Sequence, residues 1–533
     1  MFNRNLRRRR FVSTIRHSAI QKFINRERKD YSYYLRQSDR ALNEFAKIHF
    51  NLDLNLWNIM RHEQRAGFLA GANTRKFAFF YDMGMGKTLM LISLIRYFWS
   101  RGVTKTVLVL VPNKINKGEW VNEIKKYVPD MTHVILEGSS KGKWQQIKNA
   151  DKPHVIIETY AGLVRMLCKP DKTKKGKARL VPDRALAKEL LEHVQGIVMD
   201  ESIAIVRKKG HGSLMHRLCA FLAKHSKIAY ALNGTPFGSD PTDLWGQMFV
   251  IDGGETLGET LGLFRATFFT QKQNNWGGID YTFDKTKKAL LAKILCNRSI
   301  RVTADESTLP KINMIEKHVV IPEGVQEYYK KAKEDIIAAR GSYQETKNAF
   351  LRMRQISSGF IGYKDDELGQ KAKFAFDENP KLEMLLSLVE QIVPTHKVVI
   401  FHEFTFSGDL ICRSLREMKI NHGRLYGGTK DPERELASFY SDAKCRVFVL
   451  QNQAGGFGLD RLKVARYGIY YEAPVGTVLR QQTLRRIRRQ GSDHSRVFIY
   501  DLMMRGTVDE KIIEAHARGI DLFKAIIDGK ATV

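Results

Sequence analysis

Short runs of consecutive apolar residues recur along the chain, separated by stretches in which apolar positions return at helical spacing. In the first half the runs are Val107–Val111, Val155–Ile157, Ile197–Met199 and Ile228–Leu232; in the second they are Val398–Phe401, Val447–Leu450, Gly468–Tyr471 and Val497–Leu502. A strand that is apolar at every position, rather than at every second one, is buried on both faces, as in a parallel sheet covered by helices. Two such series predict two α/β domains, each a mostly parallel sheet with helices on both faces. Between them, Pro322 to about Phe376 reads as helical and then becomes rich in Gly, Lys and Asp, which predicts a bridge. The expected organisation is a basic N-terminal arm over 1–45, a first lobe over 46–315, a helical bridge over 316–378 and a second lobe over 379–533.

Composition agrees with a multidomain globular chain: 533 residues, 43% hydrophobic and 10% aromatic. No apolar stretch reaches the roughly eighteen residues of a membrane-spanning helix, so a soluble, cytoplasmic protein is expected. The five cysteines are far apart, and none forms a C-x-x-C pair. They read as thiols of a reducing compartment.

Charge changes the picture more. Eighty-eight Lys and Arg against 57 Asp and Glu leave a formal +31, a field that favours a polyanion, because each phosphate neutralised releases counterions. Arg4, Arg7 to Arg10, Arg16, Arg26 and Arg28 punctuate the first thirty residues, with no acidic residue before Glu27. That pattern fits a flexible arm lying on phosphates or an organelle transit peptide, and the arm is the favoured reading. A second basic run, Lys172 to Arg179, reads as a polar surface insertion.

The sharpest motif is Asp82-Met83-Gly84-Met85-Gly86-Lys87-Thr88 ahead of an apolar helical run, Leu89 to Phe98. Glycines let backbone N–H groups turn toward phosphate oxygens, and the helix behind them points its positive dipole end at the same anion. Lys87 would neutralise the β and γ phosphates of ATP and the Thr88 hydroxyl would hold Mg2+. Tyr81 stands where glycine or alanine is usual. Downstream, the apolar run Ile197–Met199 ends in Asp200-Glu201. Carboxylates at a strand end face the crevice where open α/β sheets bind ligands, so Asp200 could reach the magnesium shell and Glu201 could polarise the attacking water.

With these in place, the remaining motifs resemble those of the Swi/Snf branch of superfamily 2 helicases, in that family's order and over most of the chain. Met60-Arg61-His62-Glu63-Gln64-Arg65-Ala66-Gly67 is similar to the segment whose glutamine reads adenine, which assigns that role to Gln64. Val111-Pro112-Asn113-Lys114 with Trp120 resembles motif Ia, Glu158-Thr159-Tyr160 motif Ib, and Leu232-Asn233-Gly234-Thr235-Pro236 motif III. In the second lobe, Lys397–Phe401 resembles motif IV and Ala454-Gly455-Gly456-Phe457-Gly458-Leu459 motif V. Gln482 to Gly491 resembles motif VI and registers its two arginines on Arg486 and Arg489. A basic helix face that only binds DNA is the competing reading of those arginines.

The resemblance implies two RecA-like domains with the ATP site in the cleft between them. Lys87, Asp200, Glu201, Arg486 and Arg489 would be catalytic; Gln64, Gly84, Met85, Gly86, Lys87 and Thr88 would bind nucleotide, and Thr88 and Asp200 the metal. Lys114, Thr159, Gly455 and Gly456 would touch nucleic-acid phosphates, with double-stranded DNA the favoured partner and no base readout needed. The activity implied is an ATP-dependent translocase. Two alternatives stay open: a strand-separating helicase on DNA or RNA, and a non-hydrolysing binding or assembly protein. After Asp200-Glu201 the family has alanine or serine and then histidine, whereas this chain has Ser202-Ile203; an isoleucine cannot make a polar link to motif III.

Overall fold

The computed structural model describes residues 17–50, 53–172, 178–206, 213–234, 236, 241–273, 279–338, 343–364, 371–455, 460–489, 491–519, 522 and 526. The chain divides into two compact units, Met1–Ala304 and Asp305–Val533.

The first unit is built on a seven-stranded sheet: β1 (Lys76–Tyr81), β2 (Val107–Val111), β3 (His133–Ile135), β4 (Val155–Thr159), β5 (Gly196–Met199), β6 (Ile228–Asn233) and β7 (Ser299–Val302). Its order is β7-β1-β6-β5-β2-β4-β3, and every neighbouring pair is parallel. Parallel neighbours require crossovers, and the crossover helices bury both faces. β1 shows the result. Phe77, Phe79 and Tyr81 join a core with Ala66, Leu69, Met90 and Leu94 from helices His62–Thr74 and Lys87–Ser100. Ala78 and Phe80 point the other way, into a core with Leu108, Ile197, Ala229 and Trp245.

The arm expected over 1–45 is corrected from residue 17 onward. Helices His17–Ile24 and Asp39–His49 pack on the first unit. Phe23 meets Phe268 edge-on at 6.4 Å, Tyr31 meets Phe77 at 5.8 Å, and Leu42 and Ala46 are fully buried. Arg28 lies over the Phe23 ring and donates to the Phe23 and Ile24 carbonyls, so its charge caps a helix end. The apolar positions interspersed with the basic ones carry this packing. Arg4, Arg7 to Arg10 and Arg16 lie outside the described residues. The basic run at 172–179 adjoins an antiparallel hairpin, Cys168–Lys172 with Ala178–Pro182, and its residues 173–177 also lie outside.

The second unit carries a six-stranded parallel sheet: β8 (Lys311–Val319), β9 (Val398–His402), β10 (His422–Leu425), β11 (Val447–Gln451), β12 (Tyr467–Tyr470) and β13 (Arg496–Met504), in the order β8-β13-β12-β9-β11-β10. The stretch expected to bridge the lobes is part of this unit. β8 runs along β13 as an edge strand, and helices Glu323–Ala338 and Tyr343–Ser357 share a core with helix Val508–Ala517. The Tyr329 hydroxyl accepts the Val508 N–H at 2.6 Å. Phe360–Lys364 and Lys371–Ala375 form an antiparallel hairpin. Among the described residues no helix is long and apolar enough to cross a membrane.

Leu42→Ala removes a fully buried side chain from the N-terminal layer and should destabilise the first unit by about 2–5 kcal/mol, read from denaturant unfolding; an unchanged midpoint would mean that this layer is not part of the core. In the second unit, His402 closes β9 fully buried, its Nδ1 2.9 Å from the Phe404 carbonyl, with Arg424, Glu403 and Asp409 around it. Burial pushes its pKa down to about 4, so the unfolded chain binds the proton more tightly. Stability from this group is complete above pH about 6.5 and is lost as pH falls toward 4, by about 3 kcal/mol in all. His516, lowered to about 4 mainly by burial, acts with the same sign. A pH series of unfolding midpoints should show this acid slope, shallower in His402→Gln.

Candidate functional site

Because all strands of the first sheet run the same way, their carboxyl ends open on one edge. There β1 leads into Asp82–Lys87, β2 into Pro112–Lys114, β5 into Asp200-Glu201 and β6 into Gly234, while β4 ends at Thr159. The strand order sets β1 beside β6 and β6 beside β5, so the glycine loop, the motif III segment and the carboxylate pair come from adjacent strands.

In the loop, Gly84 and Gly86 hold φ of 82° and 69°, the left-handed region that glycine enters without steric cost. Gly86 caps helix Lys87–Ser100, which puts Thr88 in its first turn and leaves the helix dipole aimed at the loop. Gln64 is buried against this cap: its Nε2 donates to the Gly86 carbonyl at 2.8 Å and its Oε1 accepts the Arg61 N–H at 2.8 Å. A Cβ on Gly86 would fall 2.2 Å from Gln64 Nε2. Arg61 also donates to the Gly84 carbonyl at 3.2 Å, and Met85 is buried in the core. Lys87 Nζ donates to the Tyr81 carbonyl at 2.8 Å.

The large residue at position 81 is matched from the neighbouring helix. Tyr81 is fully buried and donates its hydroxyl to the Glu63 carbonyl at 2.6 Å. A Cβ at Gly67 would lie 2.3 Å from that oxygen, so Gly67 makes the room that Tyr81 takes. Asp82 is held from the sheet edge. Arg301 on β7 donates to its Oδ1 at 2.7 Å and to the carbonyls of Phe80 and Gly234, and Ala304 N–H reaches its Oδ2 at 3.1 Å. Arg301 therefore ties the phosphate loop to the segment after β6.

Asp200 accepts the Trp120 indole N–H at 3.0 Å and the Glu201 N–H at 3.0 Å, while its carbonyl accepts the Tyr160 hydroxyl at 2.8 Å. Burial pushes the Tyr160 pKa well up, which keeps it a neutral donor. Glu201 is buried at φ 48°. The left-handed region costs a non-glycine residue about 1–2 kcal/mol, and such strain gathers at functional turns. A carboxylate at the end of β5 and a hydroxyl in the first helix turn behind the glycine loop are hard oxygens of the kind Mg2+ takes, and Mg2+ needs only one or two protein ligands beyond water and phosphate. Asp200 and Thr88 would hold it. Among the described residues no three His, Cys, Asp or Glu side chains gather as a metal cluster.

Farther along the edge, register sets Val111 beside Thr159. Each leads into a helix N-terminus: Lys114, exposed, begins helix Lys114–Tyr127 behind the Asn113 cap, and Thr159 caps helix Tyr160–Leu167 by accepting the Gly162 N–H. Beneath them Glu158 is fully buried, with Lys117 at 2.8 Å and Lys143 on its other oxygen. Gly162 is required there, since a Cβ would lie 2.4 Å from the Glu158 carboxylate.

In the second unit, Gly455 ends the short helix after β11, on the carboxyl edge of that sheet, and Gly456 lies outside the described residues. Asn452, fully buried, donates to Glu403 and to the Glu472 carbonyl, both at 2.9 Å. Arg486 is buried in the last turn of helix Thr477–Ile487, and Arg489 is half-buried just past it. Arg488 donates to the Pro310 carbonyl at 2.9 Å, and Arg480 pairs with Asp501 at 2.7 Å while lying 3.6 Å from the Tyr470 ring centroid.

Three partners were not visible in the sequence. Arg301 has no local motif. Gln247 stands fully buried in helix Thr242–Asp252, where it receives the Ser202 hydroxyl at 2.7 Å and donates to the Pro236 carbonyl at 2.7 Å. Lys143 lies in an ordinary basic helix. A polar residue inside the apolar stretch Leu244–Ile251 is the one signal that could have marked Gln247.

The model of the SNF2-related domain matches residues 54–360. The ATP-dependent DNA helicase DDM1 of Arabidopsis thaliana is 23% identical over 81% of this chain and 57% of its own length. The yeast ISWI chromatin-remodeling complex ATPase ISW2 is 24% identical over 89% of this chain and 40% of its own, so the chain spans about half the length of these relatives. A putative protein, p41, of Acyrthosiphon pisum secondary endosymbiont phage 1 is 25% identical over 81% of this chain and 90% of its own. The Sulfolobus solfataricus SWI2/SNF2 ATPase core in complex with dsDNA aligns over 90% of this chain and 94% of its own, with 22% identity and a TM-score of 0.38. With more than half of its length matched by that one model, and its motifs at the strand ends where the fold sets them, the chain belongs to the SNF2-related family.

Proposed function

We propose that this chain is a DNA-dependent ATP hydrolase that uses the cycle to move along double-stranded DNA or to remodel complexes on it, in the cytoplasm of a bacterium or of a phage-infected host. One observation carries the reading: a glycine phosphate loop, a carboxylate pair and two helix N-termini share the carboxyl edge of one parallel sheet. The first two are the equipment of phosphoryl transfer. The helix N-termini suit the phosphates of a backbone and read no base.

In this reading the helix dipole behind Gly86 and the Lys87 ammonium bind the β and γ phosphates of ATP. When bound, magnesium would neutralise charge developing on those oxygens. Glu201, held in its turn by the strained backbone, takes the proton of the attacking water, and Asp200 is aimed by Trp120 and Tyr160. For Gln64 the proposed part in reading adenine rests on the family resemblance, and its bond to the Gly86 carbonyl braces the loop that faces the nucleotide. For Arg486 and Arg489 the proposed part in phosphoryl transfer rests on the family resemblance of Gln482–Gly491. Lys114, Thr159, Gly455 and Gly456 are proposed to meet the nucleic-acid backbone.

The deciding measurement is phosphate release by the full chain with duplex DNA, single-stranded DNA and RNA. Duplex should stimulate most, and no stimulation by any of them would reject the reading. Displacement of a triplex-forming strand without separation of the duplex would mark a translocase; separated strands would favour a helicase.

Lys87→Ala should abolish turnover, and Glu201→Gln should lower it by about a hundredfold or more while ATP still binds; normal turnover in either would remove its assigned role. Duplex affinity should fall with salt, with a log-log slope of about −0.9 per phosphate contacted, as binding titrations at several salt concentrations would show. Arg301→Met leaves the Asp82 carboxylate without its guanidinium and should cost about 1–3 kcal/mol of stability and raise KM for ATP. Thermal melting together with ATP titration checks both.

A further inference from the structure

The sequence departs from its family at Ile203, a residue with no polar group to offer the segment after β6. The structure contains another polar path from the same turn. Ser202, next to Glu201 and fully buried, gives its hydroxyl to Gln247 Oε1 at 2.7 Å. The same amide gives its N–H to the Pro236 carbonyl at 2.7 Å, with the Asp243 carbonyl at 3.4 Å. Gln247 is completely buried in helix Thr242–Asp252, in which Leu244, Trp245, Met248 and Ile251 are buried too.

A buried amide without partners would cost a few kcal/mol in such a place, and an apolar residue would fill it at no such cost. Gln247 meets that cost by bonding the carboxylate turn on one side and the motif III segment on the other. That segment is held from its other end as well, where Arg301 bonds the Gly234 carbonyl and Asp82 of the phosphate loop. Gly234 and Pro236 are thus each tied to one of the two loops that would face the nucleotide.

We propose that Ser202 and Gln247 are positioning residues that couple the turn carrying Asp200 and Glu201 to the segment at Pro236, so that a change at the carboxylates is passed to that segment. Neither touches the reacting atoms. The inference rests on the ATP-hydrolase reading of this site and adds the route by which the first unit's nucleotide state leaves it. A link of this kind acts on the coupled step and leaves ground-state binding of nucleotide and DNA unchanged.

The test compares the full-length wild type with Gln247→Met, Ser202→Ala and the double variant. Each is scored for KM of ATP, kcat at saturating duplex DNA, DNA affinity and melting temperature. Methionine keeps the volume and removes both hydrogen bonds; Ser202→Ala removes one hydroxyl and carries the test by itself should the methionine variant fail to fold. Loss of the link should lower DNA-saturated kcat by about two- to thirtyfold, with KM and DNA affinity at wild-type values and the double variant no worse than the worse single one. Wild-type kcat in the single variants overturns the inference. So do losses that simply add in the double variant, and a joint loss of kcat, KM and DNA affinity that follows melting temperature. A wild-type chain that DNA does not stimulate rejects the functional reading itself, a different result from stimulated wild type and equally stimulated variants.

Discussion

Parallel pairing of β1 between β6 and β7 is the constraint on which the first unit's site depends. It brings the end of β1, where the phosphate loop begins, beside the ends of β6 and β7, and so within reach of Gly234 and Arg301. The register is fixed by what the two faces bury. Phe77, Phe79 and Tyr81 belong to one core, and Ala78 and Phe80 to the other. A slip of one residue would exchange the faces, sending Tyr81 away from Gly67 and Glu63 and misplacing Asp82 against Arg301. The geometry of the loop is thus set by apolar packing several residues away from it.

Much of this was legible because it is local in sequence. A run apolar at every position has few uses other than a doubly covered strand, and all eight such runs lie on strands of the two sheets. Glycine loops, cap residues and strand-end carboxylates are likewise read within a few residues. β1 is harder to read because its run, Lys76–Tyr81, is aromatic rather than β-branched, and the edge strand β8 because its half-exposed run, KINMIEKHV, mixes apolar with polar and charged residues and has no clean period. Over residues 17–49 the basic residues dominate the pattern, while the burial rests on a few apolar positions, Phe23, Leu42 and Ala46 among them.

The site divides along the same line. Gly84, Gly86, Lys87, Thr88, Asp200 and Glu201 stand in short motifs, but the side chains that hold them come from afar. Arg301 lies 219 positions from Asp82, and Trp120 lies 80 from Asp200. Such pairings follow from strand order, which no local spacing encodes. Departures from a family pattern are where this matters most. Tyr81 is intelligible only with Gly67, whose missing side chain leaves it room, and the turn at Ser202 is bonded by Gln247, 45 positions away.

The same separation of near and far applies to charge. Among the described residues the buried ions are largely matched: Arg480 with Asp501, Lys381 with Asp509, and Glu158 with Lys117 and Lys143. Buried charges must be paired to be tolerated at all, so among the described residues the interior holds little net charge, and the formal +31 of the chain is not balanced there. At physiological salt that field reaches about 8 Å before it is screened, far enough to gather a polyanion but too diffuse to place one. Placement needs donors at fixed positions, and the helix N-termini at Lys114 and Thr159 are fixed by the pairing of β2 with β4. In the proposed reading the surface lysines and arginines set how often a duplex arrives, and the sheet edge where its backbone lies.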